Sequence, residues 1–401
     1  ETQSALRLEH GAFRRIGKIA VKGQTACSFR FIEGLAHIKG GVIFHHNRTG
    51  SFRSRFRIDV RVREEAEKID PEAKTVSIRR LEDDTVYTES YDKLILSPGA
   101  KATVPDLPGI SAGRIFTLRT VEDTFRIRQF IESSRPKKAV VVGGGFIGLE
   151  MAENLVQEGI DVTLLQRSDQ VLPPMDYDMA CEIHSYLRMN GVDLRMKQTV
   201  EGYEEQKDGS IRILLKGDSP LHADFVILSV GVLPDTRLAK EAGIRLGMKN
   251  SIVTDDHMRT SAADIYAVGD AVCVKNFVSG KEALISLAGP ANKQGRIAAD
   301  NICGVESTFT GSQGSSVIKL FGMTAASTGL NEKTAKAAGI GCDKVYTFSA
   351  SHATYYPGAS NMTVKTLFCP ETGRILGAQI VGFDGVDKRI DVLATAIRGQ
   401  M

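Results

Sequence analysis

Tryptophan is absent from the 401-residue chain, and aromatic residues make up only 6%. Excess charge is lacking too: 51 Lys and Arg against 48 Asp and Glu leave a formal net charge of +3. With no basic run or stripe either, the electrostatic footprint of a nucleic-acid binder is missing. No stretch approaches the roughly 18 apolar residues of a membrane-spanning helix, so no membrane partner is expected. The six cysteines (Cys27, Cys181, Cys273, Cys303, Cys342, Cys369) form no C-x-x-C pair and no Cys/His cluster. That excludes a disulfide scaffold and a structural zinc site, and a reduced, cytoplasmic setting is the expectation. His45-His46 has no third ligand near in sequence, so no metal is expected. The polar opening ETQSALRLEH has no apolar signal core, and the chain begins at Glu1 without an initiator Met, as a fragment would.

Glycine, by contrast, is plentiful, with 39 residues in a chain long enough for two to four domains. From Lys138, KKAVVVGGG reads as a β-rich run ending in glycines, FIGLEMAENLVQEG as an amphipathic helix closed by Gly159, and DVTLLQR as the next buried strand. This is a β-α-β unit of mononucleotide-binding size. Gly143 to Gly148 contain G-x-G-x-x-G between strand and helix. In that motif Gly143 permits the tight turn, Gly145 lets the backbone approach a pyrophosphate, and Gly148 lets the helix pack on the strand. Phe146, Ile147 and Glu150 in the helix, with Gly231 further along, complete the expected nucleotide set. At the end of the second strand, where an Asp or Glu would bind the ribose 2′-hydroxyl, stand Gln166 and Arg167. Gln166 does not repel a 2′-phosphate and Arg167 can pair with one, so both NADH and NADPH stay open.

A second signal is Asp264-Ile-Tyr-Ala-Val-Gly269-Asp270-Ala271, a short strand delivering a carboxylate just beyond a glycine, where it can accept from a ribityl hydroxyl. Before Lys138, RFRIDVRVREEAEKIDPEAKTVSIRR alternates as antiparallel strands with a solvated face do. After Ser315, strand-like runs with a PETG hairpin turn and a last helix suggest a separate sheet-plus-helix domain.

Together LSPGA (96–100), VVVGGGFIGLEMAENL, DIYAVGDA, LAGPANKQGRIAADNICG and SHATYYPGAS resemble the pyridine nucleotide-disulfide oxidoreductases, over roughly residues 55–398. Within them the chain is similar to the coenzyme A-disulfide reductase and NADH oxidase/peroxidase branch. The resemblance implies an α/β fold with two interleaved Rossmann-like dinucleotide-binding domains and a C-terminal α+β dimerisation domain, in a homodimer. The FAD-binding domain is expected at 1–114 and 247–314, the NAD(P)H-binding domain at 115–246, and the dimerisation domain at 315–401. The implied cofactors are FAD and NAD(P)H, and the implied substrates a small disulfide, persulfide or peroxide, with coenzyme A among the candidates. Carried over residue by residue, Ser97, Pro98 and Gly99 would lie against FAD, and Gly269 and Asp270 would hold its ribityl-phosphate side. Pro290, Ala291 and Gln294 would open the helix facing the flavin's pyrimidine edge, and Tyr355 and Tyr356 would reach the partner subunit's redox centre.

Two departures stand out. Nothing before Leu35 reads as G-x-G-x-x-G, so the first strand and glycine loop of the FAD domain are expected to be missing. In Ser28-Phe-Arg-Phe-Ile-Glu33-Gly-Leu, Glu33 falls on the family's nucleophilic cysteine, and a carboxylate forms neither a mixed disulfide nor a sulfenic acid. Cys27 substitutes only if the loop is rearranged, and is otherwise a small buried residue. The stretch 1–54 has the abruptness of a damaged or misread N-terminus, and the end AIRGQM stops short of the usual tail with its further tyrosine. Three functions remain open: a disulfide or persulfide reductase, an NAD(P)H oxidase or peroxidase needing no cysteine, and a nucleotide-binding protein without turnover.

Overall fold

A computed structural model describes residues 57–401 and the backbone of 19–23. The described residues fall into two compact units, each made of chain segments that are not contiguous.

One unit gathers the described residues up to Ala100 with Pro234–Val274 and Leu284–Thr310. Lys93–Ser97 is its central strand, with Ile19–Gly23 and Ile265–Ala267 parallel on either side. Where the family's first strand and glycine loop were expected to be missing, a strand, Ile19–Gly23, does pair with Lys93–Ser97; Ile19 and Val21 in IAVKG are β-branched residues that favour extended backbone. Glu64–Asp70, Thr75–Arg80 and Val86–Ser90 form the expected antiparallel meander. Leu94, Leu96, Ile265, Ala267 and Ala298 share one core, which seats the helix Ala288–Ile302.

The other unit holds Lys101–Leu233, Lys275–Ala283 and Gly311–Met401. It therefore joins most of the expected 115–246 domain to the expected 315–401 domain, while 234–246 lies in the first unit. Its first sheet is all parallel, in the order Asp193–Met196, Asp161–Gln166, Lys138–Val142, Phe225–Leu228, Ile115–Thr117. Val140, Val141, Leu164, Leu165, Phe225 and Val226 are buried, so both faces of this sheet are covered. The second sheet is antiparallel, in the order Ser316–Leu320, Met323–Gly329, Ile375–Gly382, Asn361–Phe368, Asp343–Ala350, and packs the helix Val386–Arg398. Ile318, Leu320, Met323 and Val381 continue the parallel sheet's hydrophobic core, which fuses the two parts.

Candidate nucleotide and flavin sites

Strand order in the parallel sheet reverses between Lys138–Val142 and Phe225–Leu228, and ligands of doubly wound sheets bind beyond the carboxyl ends at such a switch. Gly143 to Gly148 lie at that point, and each glycine has a different physical task. Gly143 has φ 108°, and a Cβ there would come within 2.4 Å of the Ser229 carbonyl oxygen. A Cβ on Gly144 would meet Val171 at 2.6 Å, and one on Gly148 would meet the Gly143 carbonyl oxygen at 1.9 Å. Gly145 alone of the four faces open space, with nothing within 4 Å of its Cβ position. It is also the N-cap of the helix Phe146–Gln157 and offers no capping side chain. The first-turn N–H groups and the positive end of the helix dipole are thus left for an anion. Three glycines make the turn, and the fourth leaves room at its mouth.

Ser229 locks the turn from the neighbouring strand, its Oγ donating to the carbonyls of Val142 (3.0 Å) and Gly143 (2.9 Å). Gly231, at φ 115°, accepts from the Thr103 N–H at 2.9 Å. Phe146 and Ile147 pack on the core, and half-buried Glu150 stands one turn into the helix, its carbonyl accepting from Asn154 Nδ2.

Gln166, expected at the ribose position, is bonded within the protein. Its Oε1 accepts from the Gly144 N–H at 2.9 Å, and its Nε2 donates to Ser168 Oγ (2.6 Å) and the Gln170 carbonyl (3.0 Å). An amide can do both where a carboxylate could only accept. Arg167, next along the chain, is exposed and makes no ion pair among the described residues, so it is a cation available at this strand end.

In the other unit, Ser97 ends the central strand and Pro98 and Gly99 follow it, with Gly99 at φ 71° and its carbonyl taking the Asp235 N–H at 3.0 Å. Gly269 (φ 82°) and Asp270 form a single helical turn after Ile265–Ala267. Buried Gln294 accepts from the Gly269 N–H through Oε1 at 2.6 Å, and Ala291 Cβ lies 3.9 Å from the Gly269 Cβ position. Gly269, Ala291 and Gln294 therefore meet. The helix Ala288–Ile302 has no side-chain cap, and Pro290 in its first turn supplies no N–H. The positive φ and uncapped helix end suit a flavin's phosphate and ring edge.

Tyr355 and Tyr356 sit in the turn between Asp343–Ala350 and Asn361–Phe368, at 88% and 67% exposure, with Tyr356 edge-on to His352. Cys27 and Glu33 lie outside the described residues.

Sequence reading missed the side chains behind the glycine loop. Buried His184 accepts from the Val171 N–H through Nε2 at 3.2 Å; burial, helped by nearby Arg188, pulls its pKa down to about 4 and keeps the ring neutral. Lys365 is fully buried, with Asp176 and Asp178 carboxylate oxygens at 2.9 Å and Glu332 also bonded to it. Burial alone would lower its pKa, but hydrogen bonds to Glu332, Asp178 and Asp176 hold it above the ordinary lysine value. Asp176, Asp178 and Glu332 have the spacing of a cation site, and the Lys365 ammonium stands among them. A lysine within an apolar strand pattern was the only signal of it in the sequence.

Comparisons with known proteins agree with this geometry. Residues 19–295 match the family model "Pyridine nucleotide-disulphide oxidoreductase", and 315–401 match its dimerisation domain. An NADH oxidase of Methanocaldococcus jannaschii is 35% identical over 333 residues, 82% of this chain and 73% of that protein. A coenzyme A disulfide reductase of Staphylococcus aureus is 34% identical over 351 residues, 87% of this chain and 78% of that protein. The crystal structure of reduced Bacillus anthracis CoADR-RHD superposes with a TM-score of 0.88 at 43% identity, covering 92% of this chain and 66% of that one. The chain belongs to the pyridine nucleotide-disulphide oxidoreductases, flavoenzymes that work with FAD and NAD(P)H.

Proposed function

We propose that the chain is an FAD-dependent NAD(P)H oxidoreductase that reduces a small disulfide or persulfide, with coenzyme A disulfide the first substrate to try. The observation that carries this is the open Gly145 at an uncapped helix N-terminus, placed at the sheet's switch point. The N–H groups of Gly145 to Gly148 would receive the dinucleotide's pyrophosphate, and Arg167 would take the 2′-phosphate of NADPH. Gly269 and Asp270 would hold the flavin's ribityl-phosphate side beside Ser97, Pro98 and Gly99, with Gln294 fixing the turn. When bound, FAD supplies the two-electron chemistry between nicotinamide and acceptor. The first turn of Ala288–Ile302, with Pro290 and Ala291, favours negative charge near it.

Residues 315–401 would form the homodimer contact, with Tyr355 and Tyr356, exposed in one protomer, turned toward the partner. The described cysteines are all free thiols, as a reducing, cytoplasmic setting would keep them, and among the described residues no helix is long and apolar enough to cross a membrane. An oxidase reading is favoured by one observation, Glu33 in the nucleophile's place, with Cys27 the alternative thiol. Anaerobic addition of NADPH to the purified protein separates the readings. Bleaching of a yellow protein followed by recovery with coenzyme A disulfide supports the reductase. Recovery with oxygen alone supports the oxidase, and a protein that carries no flavin contradicts both.

A further inference from the structure

The segment 167–176, between the strand Asp161–Gln166 and the helix Tyr177–Met189, is tied to the glycine loop on one side and to the C-terminal part of the chain on the other. Toward the loop, Leu172 N–H donates to the Gly144 carbonyl at 2.8 Å, and Val171 fills the space a Gly144 side chain would need. The Gly144 N–H goes to Gln166, whose amide in turn donates to the Gln170 carbonyl. Both backbone polar groups of Gly144 are therefore held through this segment.

Toward the C-terminal part, Lys333 Nζ donates to Gln170 Oε1 at 2.7 Å, and Asn331 Nδ2 donates to the carbonyls of Pro173 and Pro174 at 3.2 Å. Gln379 brackets Asp176, accepting from its N–H and donating to its carboxylate, both at 2.6 Å. The Glu332 N–H and Lys365 complete the hold on the same carboxylate. Arg167, Ser168, Asp169 and Pro173 are exposed, but Gln170, Val171, Leu172, Met175 and Asp176 are buried, so the Gln170 and Asp176 side chains have little solvent into which to turn if displaced.

We propose that 167–176 is a strap through which the C-terminal domain sets the affinity of the glycine loop for dinucleotide, with Lys333 and Gln379 as positioning residues. The inference rests on the reading of Gly143 to Gly148 as the dinucleotide site. Losing the Lys333 contact strands the buried Gln170 Oε1, frees the Gln170–Gln166–Gly144 chain to shift, and moves Gly145 with it. Lys333 is itself exposed, so its replacement spares the core.

The test uses the full-length, flavin-loaded protein and measures NADP⁺ and NAD⁺ binding by calorimetry together with steady-state kinetics. Lys333→Met should raise the dissociation constant and KM for the nucleotide about three- to tenfold, the equivalent of one hydrogen bond, and leave kcat at saturating nucleotide unchanged. Lys333→Arg should restore most of the affinity. Lys344→Met, which removes a surface lysine paired with Glu332 (2.8 Å) and not with the strap, should leave nucleotide affinity as it was. Unaltered nucleotide affinity in Lys333→Met, with or without a lower melting temperature, would overturn the strap. An equal loss in Lys344→Met would overturn it too, by making the effect one of domain charge. Absence of dinucleotide binding by the unaltered protein would overturn the reading of the site itself, and the strap with it.

Discussion

In the glycine loop at 143–148, strand, turn and helix follow one another without a break, from Lys138–Val142 to Phe146–Gln157. The turn at Gly269–Ala271 is built from parts that are apart in sequence: the helix it meets starts at Ala288, and Gln294 Oε1 accepts from the Gly269 N–H. At the first turn Gly143 and Gly148 lie against backbone where no side chain fits, while at the second the buried Gln294 side chain reaches back to the turn. Contiguous packing leaves one unbroken motif in the sequence; at the second turn the motif is split, and the hydrogen bond from the Gly269 N–H to Gln294 is not itself written in either part.

This contrast can be broken by substitution. The largest effect is expected for Gly148→Ala, because its Cβ would lie 1.9 Å from the Gly143 carbonyl oxygen and the contact is backbone, which cannot swing aside. A cost of about 2–4 kcal/mol in stability and loss of nucleotide binding are expected, measured by thermal unfolding and titration. Gln294→Leu leaves the half-buried Gly269 N–H without this partner and should cost about 1 kcal/mol, read as faster loss of flavin on dialysis with nucleotide affinity unchanged.

A pH series sharpens the picture behind the first site. His184 has a folded pKa of about 4, below the ordinary histidine value, so its contribution is present above roughly pH 6.5 and is lost as pH falls toward 4, because the unfolded chain takes up the proton first. Melting temperature should therefore fall over that window, and His184→Gln should flatten the fall. The smallest effect is expected for Arg167→Ala, since the guanidinium is exposed: about a five- to tenfold rise in the NADPH dissociation constant with NADH unchanged, in the range of an interaction of about 1 kcal/mol.

The β-α-β unit, the second glycine turn and the meander were legible in the sequence because each rests on local periodicity and turn chemistry. Strand Ile19–Gly23 was missed because five residues without a following G-x-G-x-x-G carry little pattern. The role of Gln166 was legible only as a residue type at a strand end; its engagement with Gly144, Ser168 and Gln170 depends on how the next loop folds back. The burial of Lys365 was illegible for a stronger reason. A charged residue in a strand reads as solvent-facing, and its burial depends on Asp176 and Asp178, nearly two hundred residues earlier, and on Glu332. Charge pairing across that distance is set by tertiary packing alone.

On the proposed reading, the fold leaves Gly145 open for the dinucleotide's pyrophosphate. Gly145→Leu places its Cβ where no atom beyond the chain neighbours lies within 4 Å, so the fold and the flavin should be untouched. Anaerobic titration of this variant with NADPH and NADH, followed by visible absorbance, is the direct measurement. The account predicts a yellow protein, of unaltered melting temperature, that dithionite bleaches fully and that either nucleotide bleaches at least about a hundredfold more slowly than the parent protein, a barrier change of about 2.7 kcal/mol. Bleaching at the parent rate by both nucleotides would contradict it and place the dinucleotide elsewhere.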